Sequence, residues 1–150
     1  MEFFLFALGL LLWTLVEYLF HRFILHRRTN TYLVHDRAHH QKPTHRPTEI
    51  PFLLAGIKLL IVCGYWEWWA GIGFAAGVLA YVVIHYLSHR SLVPNALLYH
   101  HQYHHLISAN KCFGVSSPLW DYIFGTHYSR KETFTSQQKA FYKGKCQVNE

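Results

Sequence analysis

The chain has 150 residues, of which 51% are hydrophobic and 17% aromatic, and it carries a formal charge of +6 with histidine neutral. That length is one domain's worth. Its basic residues gather beside long uncharged runs instead of forming a face of their own, which argues against a nucleic-acid-binding module.

Apolar runs alternating with short histidine- and arginine-rich stretches are the pattern of a chain sorted by a bilayer. The expected fold is therefore all-α: an integral-membrane helical bundle of about three spans, one N-terminal helix plus a hairpin, with a cytosolic histidine-rich helical cap. Residues 1–150 are read as a single membrane-embedded unit, with a basic tail over 128–150.

Residues 3–20 are apolar apart from Thr14 and Glu17. At 1.5 Å per residue they reach about 27 Å, close to the hydrocarbon thickness of a bilayer. The run lacks the positive leader and small-residue cleavage site of a signal peptide and passes straight into histidines, so it reads as a retained anchor. Residues 21–46 carry Arg22, Arg27, Arg28, Arg37, Lys42 and Arg46, which places them on the cytoplasmic side. Pro43, Pro47 and Pro51 then interrupt any helix.

Over residues 51–84 the only charges are Lys58 and Glu67. A hairpin of two spans fits, with the Trp66-Glu67-Trp68-Trp69 cluster as an aromatic belt at its far end. Its first leg is marginal, because Lys58 must snorkel or face a polar cavity. The second leg emerges at His85, returning the chain to the side where residues 21–46 lie. The tail is lysine-rich and without periodicity, and reads as a solvated or membrane-surface extension. Cys63, Cys112 and Cys146 are odd in number and widely spaced, which points to ordinary packing and not to a disulfide framework or a thiolate zinc site.

Twelve of the thirteen histidines fall within 21–45 and 85–105. Each stretch begins at the end of an apolar span and follows one grammar, a spaced pair and then a triplet ending in adjacent histidines. The first runs His21, His26, then His35, His39, His40. The second runs His85, His89, then His101, His104, His105. Helical geometry puts His85 and His89 on one face, and His101 with His104 and His105. His21 and His26 diverge by roughly 140°, which calls for either a distorted turn or two metals, and a two-metal centre accommodates it.

Neutral imidazoles suit iron, zinc or copper. Oxygen chemistry at an unactivated C–H bond calls for a redox metal with open positions, so two iron ions are expected, with zinc able to fill the same ligands in a purified sample. Glu17 lies one turn before His21 and reads either as the acceptor of its imidazole N–H or as a snorkelling interfacial carboxylate. His45, His100 and His127 fall outside the pattern and are expected as interfacial or hydrogen-bonded residues behind the ligands. Asp36 and Asp121 are weaker candidates, since each sits where a loop or helix cap tolerates it.

The segments EYLFHRFILH from Glu17, HDRAHH from His35, HYLSH from His85 and HHQYHH from His100 resemble, in order, the four histidine boxes of the fatty acid hydroxylase superfamily. That group includes sterol desaturases, fatty acid 2-hydroxylases and beta-carotene hydroxylases. The stretch NKCFGVSSPLWDYIFGT from Asn110 resembles the family's segment after its last box.

The resemblance covers most of the chain and implies a di-iron, O2-dependent oxygenase hydroxylating a fatty acyl, sterol or carotenoid lipid. It also implies electrons from a cytochrome b5 or ferredoxin, here expected to be a separate protein. By box position it makes His21, His26, His35, His39, His40, His85, His89, His101, His104 and His105 the metal ligands. The second box departs from the family in having three residues before its doublet, where many members have two.

A desaturase on the same centre is the nearest alternative, and spacing does not separate the two. A non-catalytic membrane metal carrier or electron-transfer protein is the alternative of another class. It fits less well, because a carrier would place ligands near mid-membrane and a b-type haem needs only two axial histidines.

Overall fold

The computed structural model describes residues 1–26, 35, 40, 56–58, 61–62, 65, 67–90, 96–129 and 133–135. Among these the chain is helical or irregular, with no strand. Four α-helices carry the architecture: α1 (Glu2–Phe20), α2 (Trp68–Arg90), α3 (Ala96–Leu106) and the short α4 (Leu119–Ile123). A π-helical turn, His21–Leu25, continues α1.

Among the described residues two stretches are long and apolar enough to cross a membrane, Glu2–Leu25 and Trp68–His89. They correspond to the expected N-terminal span and the second leg of the hairpin. Most of the first leg lies outside the described residues.

Helices α1 and α2 run side by side with their backbones in contact. A Cβ added at Gly9 would sit 1.9 Å from the carbonyl oxygen of Ala70, and one at Gly73 would sit 1.9 Å from that of Phe6. No larger residue fits at either position without the helices parting. Lipid supplies no hydrophobic drive between helices, so close approach through small residues is what membrane association requires.

One turn further on, Trp13 fills the space that Gly77 leaves and meets Phe74 and Tyr81 edge-on, with ring centroids 5.3 and 5.7 Å away. Trp13, Phe74, Tyr81 and Val115 form the buried core between the spans. His21, just after α1, and His85, near the end of α2, both approach the His101 ring, at 6.1 and 4.7 Å, so the helices run in the same direction and both end at their histidines.

Beyond α3 the chain folds back onto α1. Trp120 Nε1 donates to Thr14 Oγ1 at 3.0 Å, and Phe124 stacks on Tyr18 with centroids 5.3 Å apart. A second buried cluster, Tyr99, Tyr103 and Cys112, packs under α3 and is covered by Tyr128 and Phe134. Of the tail expected as a solvated or membrane-surface extension, Phe134 stacks on Tyr99 at 5.1 Å and covers the aromatic cluster beside α3, while residues 130–132 and 136–150 lie outside the described residues. Cys112 is a free, buried thiol pushed up to about 12 by burial first and by the neighbouring Asp121, which makes it a packing residue. Cys63 and Cys146 lie outside the described residues.

Candidate metal centre

The histidines gather at the ends of α1 and α2 in two groups. His21, His26, His35, His40 and His104 form one, and His85, His89, His101 and His105 the other, with the possible ligand atoms of each group all within 4.8 Å of one another. The groups adjoin: the rings of His40 and His105 stack 4.3 Å apart, and those of His21 and His101 are 6.1 Å apart. His39 and His45, with Asp36, lie outside the described residues.

Local backbone geometry explains the sorting. An α-helix would leave His21 and His26 divergent, but the His26 N–H bonds the His21 carbonyl at 3.2 Å, closing a π-type turn that swings the two rings together. Their Nε2 atoms are 3.2 Å apart. Of the two ways out of that divergence, the chain uses the distorted turn, so the pair serves one group. Within α3, His101 and His105 are one turn apart and share a group, with Nε2 atoms 3.0 Å apart. His104, rotated about 100° from its neighbour, faces the other group instead. The adjacent doublet thus divides between the groups, where the expected arrangement kept all three on one face.

The nitrogens converge at a spacing that suits a cation. In the first group, His26 Nε2 lies 3.2, 3.3 and 3.0 Å from the Nε2 atoms of His21, His40 and His104. In the second, the Nε2–Nε2 steps His85–His89, His89–His101 and His101–His105 are 3.1, 3.3 and 3.0 Å. A metal bound at about 2.0–2.1 Å by imidazole nitrogen sets adjacent ligand nitrogens about 2.9–3.4 Å apart.

Tautomers strengthen the fit. The His21 Nδ1–H donates to the Phe113 carbonyl at 2.6 Å and the His104 Nδ1–H to the Lys111 carbonyl at 2.7 Å, so both Nε2 atoms present lone pairs to His26. His26 has at most one proton on Nε2 to share between them, and a cation satisfies all three.

Burial favours the neutral form of several of these rings, the form that binds metal. Outside the spans, His35 is pushed down to about 2 and His40 to about 3, by burial first and then by neighbouring imidazoles. His101 and His104 are held well below the usual histidine range for the same reasons.

Glu17 does not accept the His21 imidazole proton. Its carboxylate is fully buried and takes the N–H groups of Val115 and Ser116 and the Ser116 hydroxyl. The Phe113 carbonyl stands where Glu17 was expected, because the loop brings three donors that need an anion more than one imidazole does. His100 joins neither group: its Nε2–H donates to Asp121 Oδ2 at 2.9 Å. His127 stacks on Tyr122, with centroids 3.8 Å apart, and its Nδ1–H donates to the Tyr128 carbonyl.

Sequence reasoning named Asp121 as a weaker candidate but missed its role, which is to hold the loop that carries the orienting carbonyls. Asp121 is fully buried and accepts the N–H groups of Phe113 and Gly114 at 2.9 and 2.8 Å, the Thr126 hydroxyl at 2.6 Å, and His100. Cys112 adopts φ 59° between the two orienting carbonyls, a left-handed turn uncommon for any residue but glycine. Arg22 donates to the Tyr18 hydroxyl at 2.6 Å, which in turn bonds Thr126, so the loop is tied to α1 at several points. Its one sequence signal was a buried-looking aspartate in an otherwise uncharged stretch.

Two membrane-length helices ending in a double histidine centre define a helical membrane protein able to hold metal ions. The chain belongs to the fatty acid hydroxylase family, whose model matches residues 6–126. Rat fatty acid 2-hydroxylase is 35% identical over 144 residues, covering 81% of this chain and 39% of the relative. The ceramide very long chain fatty acid hydroxylase SCS7 of Saccharomyces cerevisiae is 33% identical over 146 residues, covering 83% of this chain and 38% of its own length. The Arabidopsis thaliana dihydroceramide fatty acyl 2-hydroxylase FAH1 is 31% identical over 143 residues, with 80% and 59% covered. The chain spans about two-fifths of the length of the rat and yeast relatives. A solved structure of full-length scs7p, with only the hydroxylase domain visible, superposes with a TM-score of 0.62 at 27% identity, covering 90% of this chain and 59% of that one.

Proposed function

We propose that this chain, as one membrane-embedded unit, hydroxylates the acyl chain of a lipid at its 2-position, using O2 and two iron ions held by its histidines. The carrying observation is the convergence of nine imidazoles into two adjoining groups, with His21 and His104 turned Nε2-inward by backbone carbonyls. Names of the relatives support the acyl substrate: fatty acid, ceramide fatty acid and dihydroceramide fatty acyl hydroxylases.

His21, His26, His35, His40 and His104 would hold one ion, and His85, His89, His101 and His105 the other, with His39 added by its place in the second box. Bound iron supplies the redox chemistry that reduces O2 and oxidises an unactivated C–H bond. The overall balance is one C–H bond and one O2, with two electrons and two protons, giving one C–OH and one water. The electrons come from a donor protein of cytochrome b5 or ferredoxin type.

The chain's own work is positional. Phe113 and Lys111 carbonyls fix two imidazole tautomers, Asp121 and Glu17 fix that loop, and burial keeps protons off the ligands. Arg22 beside the first group, with Arg27 and Arg28 following in the sequence, supports a cytoplasmic face for both groups.

The test is mass spectrometry of lipids from cells with and without the chain, supplied with a donor. A gain of one oxygen on the acyl chain, lost in His104→Ala, is expected. Loss of two hydrogens would make it a desaturase, and an unchanged lipid profile beside bound metal would make it a carrier.

A further inference from the structure

We infer that the loop carrying α4 is sunk into the lipid leaflet on the histidine side, with its outer face against acyl chains. Between Cys112 and Thr126 the only charged residue is Asp121, and it is completely buried. Leu119, Tyr122, Ile123 and Phe124 nonetheless form an exposed apolar face, with Tyr122 at 63% and Ile123 at 59% exposure. A soluble surface rarely gathers such residues without a partner.

Depth identifies the partner. The loop docks along α1 at Thr14, Glu17 and Tyr18, through Trp120, Ser116 and Phe124 respectively. Thr14 precedes His21 by seven residues, which is about 10 Å along the helix axis. α4 therefore lies beside the last turns of a membrane span, not below its end. Leu10 and Leu11, one turn earlier on the face of α1 that carries Thr14, are also exposed, so the apolar surface is continuous from span to loop.

Hydrogen bonding agrees. Irregular backbone at membrane depth is tolerated only when its polar groups are satisfied by protein. The four consecutive N–H groups of Phe113, Gly114, Val115 and Ser116 all end on carboxylates, the first two on Asp121 and the next two on Glu17. Tyr122, Phe124, Thr126 and His127 donate to carbonyls within the loop. Two buried carboxylates are costly in an apolar setting, and each is offset here by three or four donors. In the sequence, Arg130 and Lys131 come soon after Thr126, and basic residues are the type that flanks a membrane-embedded segment at the headgroups.

The test uses the full chain in phosphatidylcholine vesicles, with Cys63→Ser and Cys146→Ser and the buried Cys112 kept. An environment-sensitive NBD fluorophore is placed at Ile123→Cys, at Tyr122→Cys as a second site, and at the exposed Ser129→Cys as reference. Blue-shifted emission at 122 and 123, quenched by a nitroxide carried on the lipid acyl chain and spared by aqueous iodide, is expected, with the opposite pattern at 129. Iodide quenching at 122 and 123 equal to that at 129 would overturn the inference. So would blue-shifted emission that the acyl-chain nitroxide leaves untouched, since a second copy or residues 136–150 would then be the cover. Metal content and turnover play no part in the readout, so its failure is separate from failure of the oxygenase reading.

Discussion

The imidazole of His21 donates its Nδ1 proton to the carbonyl of Phe113 at 2.6 Å, across 92 residues of sequence. This bond joins the first span to the loop after the last histidine box, and it decides which nitrogen His21 turns inward. Partners of this kind typically contribute 10–100-fold in metal affinity. Because a carbonyl does the orienting, the side chains to test are those that hold it.

Glu17→Ala removes the acceptor for the Val115 and Ser116 N–H groups and the Ser116 hydroxyl. Each orphaned buried donor costs about 1–3 kcal/mol. The variant should melt well below the wild type and bind metal more weakly, read by thermal unfolding and metal titration in detergent. Unchanged melting and metal affinity would show that the loop holds without its anion.

Asp121→Asn keeps the shape of the side chain but sets an NH2 against donors that now meet a carboxylate. Loss of metal affinity should exceed loss of thermal stability, since the strained turn at Cys112 and the Phe113 carbonyl depend on it. Metal titration against melting temperature checks this, and a variant that loses stability alone would contradict it.

The doublet on α3 makes a sharper prediction, because His104 faces one group and His105 the other. His104→Ala and His105→Ala should each weaken a different metal position, so that elemental analysis finds roughly one ion retained per chain and one lost. Loss of both ions from both variants, or of neither, would mean that the two positions are not separate.

The metal-free fold should be acid-sensitive. His35 and His40 fall to about 2 and about 3 in the fold, against the ordinary 6.5, so below that value the unfolded chain binds more protons than the folded one. Stability is flat while both states are neutral, then declines as pH drops from about 6.5 toward 3. Melting temperatures of metal-free protein across that window check the sign, and a curve that rises on acidification would contradict it.

Much of the fold was legible because it rests on local signals. The apolar runs of α1 and α2 announce themselves by length, and the histidine spacings announce a candidate metal site because imidazoles rarely cluster at the ends of spans. The loop over 111–127 was not legible in the same way. Nothing within a few residues of Asp121 says that it will gather two backbone N–H groups, a hydroxyl and an imidazole, and nothing near Glu17 says that its partners lie 98 and 99 residues away. The π-turn at His21–Leu25 was visible only as a misfit, five residues between two histidines that α-helical geometry would send apart. His104 and His105 were legible as an adjacent histidine doublet but not as divided, because helical phase alone does not say which group each ring joins.

The most direct measurement is metal analysis of the purified chain combined with mass spectrometry of its lipid product. The account predicts two iron ions per chain and one oxygen added at the 2-position of an acyl chain, both reduced by His104→Ala while membrane insertion persists. Full conversion of the lipid by a His104→Ala, His105→Ala double variant with no bound metal would contradict it.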